Sequence, residues 1–126
     1  MSKTIISTKN APDAIGPYSQ GVMTNGLIFT SGQIPIDPAT KEFVNADVTV
    51  ATKQVLENVK AVLSKAGADM SDVVKTTVLL ANMDDFVAMN EVYGTYFTEN
   101  EPARACFQVA KLPMGALVEI EAIAVV

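Results

Sequence analysis

Residues 48–66 repeat their apolar side chains with the period of a helix. Ala51, Val55, Val59, Val62, Leu63 and Ala66 fall on one stripe, and Gln54, Glu57, Lys60 and Lys65 lie largely outside it. Gly67 is placed to stop the helix. A helix with one apolar stripe must bury it against another layer, and this chain has few helices to offer. Only one other stretch, residues 84–97, has helical period; Phe86, Met89, Tyr93, Tyr96 and Phe97 make its stripe, and Asp84 or Asp85 is able to cap it. The partner layer must therefore be a sheet.

The remaining apolar runs read as strands. Residues 27–31 are β-branched and aromatic and follow the turn signal Asn25-Gly26, so residues 20–24 complete a hairpin. A short strand is expected near residues 4–7, a strong one over Val73–Leu80, and two more over 103–109 and 117–126. The order is β-β-β-α-β-α-β-β, which predicts an α+β fold with both helices on one face of a single sheet. At 126 residues this is one domain, residues 1–126.

Alternation along the last two strands divides their residues into faces. Ala103, Ala105, Phe107 and Val109 oppose Arg104, Cys106 and Gln108; Val118, Ile120, Ala122, Ala124 and Val126 oppose Glu119, Glu121, Ile123 and Val125. The cleanly apolar sets are expected under the helices. The opposite face is half-apolar, and two helices cannot cover both sides. Hydrophobic residues make up 49% of the chain, charged residues only 18%, and the mean hydropathy is +0.27. Another copy of the chain is the simplest cover, with ionisable groups partly buried at the boundary.

Composition also removes whole classes of chemistry. There is no His, which excludes Ser-His-Asp and Cys-His catalysis and His-ligated metals. The single Cys cannot form an internal disulfide, and nothing resembles a metal-binding Cys pair. Net charge is −5 and pI about 4.5, without a basic run, so nucleic acid is not an expected partner. No segment has the apolar core of a signal peptide or the length of a membrane span, so a soluble protein of a reducing compartment, the cytoplasm, is expected.

Arg104 is the only arginine, in Pro102-Ala103-Arg104-Ala105-Cys106. Eight lysines carry the other positive charges. A guanidinium grips a carboxylate through two parallel hydrogen bonds, so this residue reads as an anion clamp or, more plainly, as a surface ion-pair member. Tyr18 follows the Gly16-Pro17 turn; Ser31 and Gly32 end a strand, where the missing Cβ lets a ligand or another backbone approach. Each also fits a purely structural role. Asn90 lies at the margin of the second apolar stripe and needs a partner, either backbone or a pocket. Glu119, on the polar face of the last strand, either holds a water or is simply solvated. Cys106 reads as a small hydrophobe, although Arg104 is able to lower its pKa.

Taken together these segments resemble the RidA (YjgF) family. The resemblance covers nearly the whole chain: Ala14-Ile15-Gly16-Pro17-Tyr18-Ser19-Gln20, Thr30-Ser31-Gly32-Gln33-Ile34-Pro35, Asn58-Val59, Asp85-Phe86 with Asn90 and Tyr93, Pro102-Ala103-Arg104 with Cys106, and Val118-Glu119-Ile120-Glu121. It implies a chorismate-mutase-like fold and a homotrimer with a barrel core, outer helices and three clefts between subunits. The implied activity is hydrolysis of reactive imines and enamines, such as 2-aminoacrylate and 2-iminobutanoate, to 2-keto acids and ammonia, without metal or cofactor. Arg104 then matches the residue that holds the substrate carboxylate, Glu119 the one that positions water, and Tyr18, Ser31, Gly32, Asn90 and Cys106 the pocket lining. Glu101 stands where many relatives have an aromatic residue, which bears on the shape of the pocket mouth. Two other functions attach to such a chain: a non-catalytic binder of small carboxylates, and the ribonuclease or translation inhibitor described for some relatives.

Overall fold

The computed structural model describes residues 2–126. Six strands, β1 (Thr4–Ile6), β2 (Gly21–Thr24), β3 (Leu27–Thr30), β4 (Val73–Leu80), β5 (Ala103–Gln108) and β6 (Val118–Val125), form one sheet in the order β1-β2-β3-β6-β4-β5. β4 and β5 run parallel; every other neighbouring pair is antiparallel. The two helices, α1 (Val48–Lys65) and α2 (Phe86–Tyr96), pack together and against the sheet. The α+β order inferred from periodicity is the order observed.

Helix α1 begins where Asp47 accepts a hydrogen bond from the Val50 N–H, 3.0 Å, satisfying a donor that the first turn leaves open. It ends at Gly67, with φ +87°. There the Ala68 N–H reaches the Leu63 carbonyl and the Gly67 N–H reaches that of Ser64, the pairing that a left-handed residue after the last turn permits. Its stripe is buried completely at Ala51, Val55, Val59, Val62 and Leu63. Helix α2 departs from expectation at its start. Residues 83–85 form a short 3-10 turn capped by Asn82, and Asp85, at the N-cap of α2, makes no side-chain cap bond.

In β6, Val118, Ile120, Ala122 and Ala124 are buried under the helices as expected, whereas Val126, expected with them, lies beyond the end of the strand and is exposed. In β5 the expected faces are reversed. Register pairs Arg104 with Thr76 and Cys106 with Val78, both buried on the helix side, so Arg104, Cys106 and Gln108 look toward α2. Ala103, Ala105 and Phe107 look to the open side. Alternation separates the two sets but does not say which lies inward. β5 is an edge strand, and at the sheet margin a long side chain can lie under α2 and still reach water. Glu119 pairs with Leu79, which also pairs with Phe107, so these three share the open face. That face carries large apolar groups without cover in the single chain: Ile5 is 52% exposed, Phe107 49% and Val125 43%.

Candidate functional site

The named residues fall into two groups on opposite faces of the sheet. The first surrounds Arg104. Its Nη1 donates to Asn90 Oδ1 at 2.7 Å, so the amide at the margin of the α2 stripe is partnered by a side chain rather than by backbone. The guanidinium carbon lies 4.8 Å from the centroid of the Tyr93 ring and 5.4 Å from that of Phe86. Among the described residues no carboxylate is paired with it. Cys106 lies two residues along the same face, half-buried. Burial pushes its thiol pKa up, and Arg104 offsets this only in part. The sulfur is therefore held in its neutral, weakly nucleophilic form, and the lowering that Arg104 alone would cause is overridden.

The second group lines an open cavity of about 290 Å³ formed by Ile15, Tyr18, Ser31, Gly32, Ile34, Pro113 and Glu119. A backbone bridge builds it. The Gln33 N–H donates to the Ile120 carbonyl and the Ile120 N–H to that of Gln33, which lays Gly32 against Glu119. A Cβ on Gly32 would come within 2.8 Å of the Glu119 carboxyl carbon and closer still to its Oε2, so a larger residue here would displace the Glu119 carboxylate from its place in the cavity. Ser31 is held at both ends: its N–H donates to the Gln20 carbonyl at 2.9 Å and its Oγ donates to the Ser19 carbonyl at 2.5 Å. Tyr18 is 47% exposed, and its hydroxyl accepts from the Ile15 N–H at 3.3 Å. Gln20 ties the end of the Gly16-to-Gln20 segment to the loop before it. Buried, it accepts from the Thr8 N–H and donates to the carbonyls of Thr8, Ala11 and Pro12.

Glu119 is half-buried, and burial raises its carboxyl pKa; the neighbouring Glu121 adds to the rise. Arg104 does not counter it, because the guanidinium lies across the sheet. In the single chain Arg104 is exposed and does not line the cavity that contains Glu119. Sequence patterning missed Ile15, Ile34 and Pro113 as lining residues and the two rings beneath Arg104. The rings carry a visible signal, their spacing around Asn90, but the same spacing describes any buried stripe. Among the described residues no group of three or more Cys, Asp or Glu side chains is placed to hold a metal ion, and no helix is long and apolar enough to cross a membrane.

One six-stranded mixed sheet with two helices on one face, and an arginine at its margin that no carboxylate pairs among the described residues, defines a small α+β domain. The comparisons with known proteins are specific. A family model described as Endoribonuclease L-PSP matches residues 8–126. The 2-iminobutanoate/2-iminopropanoate deaminase of Mus musculus is 53% identical over 123 residues, 98% of this chain and 91% of that protein. The crystal structure of the YjgF gene product from E. coli has a TM-score of 0.92 at 50% identity, covering 97% of this chain and 98% of that one. E. coli TdcF, crystallised with bound serine, has a TM-score of 0.92 at 48% identity, with 98% of each chain covered. This chain belongs to the Endoribonuclease L-PSP family, the RidA family.

Proposed function

We propose that this chain hydrolyses small imines and enamines bearing a carboxylate, releasing a 2-keto acid and ammonia. The observation that supports this most is Arg104: a guanidinium steadied by Asn90, with its remaining N–H donors unclaimed by any carboxylate among the described residues. It offers the fork that a carboxylate takes. An enamine first becomes the imine by gaining a proton at carbon and losing one from nitrogen; water, oriented by Glu119, then attacks the imine carbon, Glu119 takes a proton from that water and passes it to the nitrogen, and the hydroxyl proton of the resulting carbinolamine follows to the nitrogen as the C=O bond forms, the C–N bond breaks and ammonia leaves. Proximity and one positioned acid–base group suffice for a substrate that hydrolyses readily by itself. Tyr18, Ser31, Gly32 and Cys106 are assigned to the lining.

Arg104 and Glu119 occupy opposite faces of one sheet, so a single copy does not join them. A working site then forms between copies, Arg104 from one and the Glu119 cavity from its neighbour. The uncovered apolar groups of the open face support such association, and the family resemblance implies three copies around a barrel core.

The test couples the protein to a threonine or serine dehydratase and follows keto-acid release. Arg104→Lys should lower kcat/KM by about ten- to a hundredfold, the worth of a charge-assisted pair that a point charge does not replace. Near-parental activity in that variant would remove the clamp role. The family description favours a second reading, an RNA-cleaving activity, against which stand the net charge of −5 and the single arginine. RNA cleavage that stays in constant ratio to protein through purification, with no acceleration of keto-acid release, would establish it instead.

A further inference from the structure

Phe86, Asn90 and Tyr93 stand at i, i+4 and i+7 of α2, one face of that helix, and all three touch Arg104. Asn90 holds one edge of the guanidinium; the two rings lie within the roughly 6 Å at which a cation is drawn to an aromatic face. Tyr93 is itself fixed. Its hydroxyl is 2.7 Å from Thr76 Oγ1, a buried pair, and its ring packs on Phe97 with centroids 4.6 Å apart. Thr76 is the register partner of Arg104. Strand β4, the ring, the guanidinium and strand β5 thus close a circuit that ties the cation to the sheet.

We propose that Phe86 and Tyr93 are positioning residues, an aromatic shelf that orders Arg104 before a carboxylate arrives. The proposal deepens the reading of Arg104 as a carboxylate clamp and rests on it. A free arginine side chain is rich in rotamer entropy, a cost that binding bears unless the side chain is already ordered. An acidic residue would order it too, but would neutralise the charge and compete with the ligand for the same donors. A ring attracts the cation from its face and takes none of its N–H groups. Burial raises the Tyr93 pKa, which keeps its ring neutral for this task.

The experiment replaces Phe86 with phenylalanines bearing one, two and three ring fluorines, which drain the negative face while nearly preserving shape. Binding of 2-oxobutanoate is measured by calorimetry, and KM and kcat by the coupled assay. The shelf predicts a Kd and KM that rise with fluorine count, by about two- to fivefold at the end of the series, with kcat changing less and the melting temperature unmoved. A flat series, alongside an Arg104→Lys variant that loses binding, overturns the shelf alone. A parent that does not bind 2-oxobutanoate, or an Arg104→Lys variant that binds it unchanged, overturns the clamp and the shelf together.

Discussion

At Glu119 two influences act in the same direction. Burial and Glu121 both raise its pKa above the ordinary value of 4.5. Between that value and the raised one, the folded chain binds more protons than the unfolded chain, so stability falls as pH rises through the window. The cost is fully present above the raised pKa and is relieved below 4.5. Catalysis runs the opposite way, because the proposed water-orienting form is the carboxylate. The acid limb of kcat/KM should therefore follow the Glu119 carboxyl, which burial and Glu121 raise and which the neighbour's Arg104 in the proposed site lowers. Glu121→Gln removes one raising cause and should move that limb to lower pH; Glu119→Gln should abolish it. pH profiles of keto-acid release check both, and a limb that Glu119→Gln leaves in place would assign the proton elsewhere. The candidate residues were legible as types: a lone arginine, a glycine ending a strand, a glutamate on a polar face. Their environments were not. Cys106 shows this, since an adjacent arginine suggests a lowered pKa while the packing around the thiol raises it.

Among the elements, α1 was read nearly to the residue, because an amphipathic stripe and a glycine stop are local signals. What α1 does for the site was not visible. Asn58, buried in its middle, donates to the carbonyls of Ile34 and Ile36 at 3.2 and 2.9 Å and accepts from Gln54. It thereby fastens the segment after β3, including the Ile34 wall of the Glu119 cavity, to the helix. Asn58→Ala should cost about 1–3 kcal/mol in a urea titration, since it leaves two carbonyls without their donor. It should also raise KM in the coupled assay; a stability loss with KM unchanged would mean that the fastening does not reach the cavity. Strand β5 marks the limit of pattern reading. Its two sets of alternating residues were separated correctly and then assigned to the wrong faces, because β5 is an edge strand and the open face of this sheet also carries apolar groups, so an apolar set does not declare its side.

The whole molecule presents one covered and one uncovered face, with half of the proposed site on each. Two impaired variants give the sharpest test. Arg104→Lys keeps the Glu119 side intact, and Glu119→Gln keeps the Arg104 side intact. Unfolded together and refolded as mixed assemblies, they should recover activity in about a quarter of sites by random pairing, because each intact site then draws its halves from different copies. Recovery absent despite mixed assemblies on native mass spectrometry would place both residues in one protomer's site. Phe107→Glu, on the open face, should yield smaller particles by sedimentation and should lower kcat/KM in parallel. The sequence by itself determined the element order, the fold class and which residues are candidates for holding an acid, because helical period, strand alternation and residue chemistry are written locally along the chain. Only the tertiary structure decided that Arg104 and Glu119 lie across a sheet from one another, and that two rings and an amide steady the guanidinium. Sidedness and contact come from how strands pair and which layer covers them, and no local period encodes that.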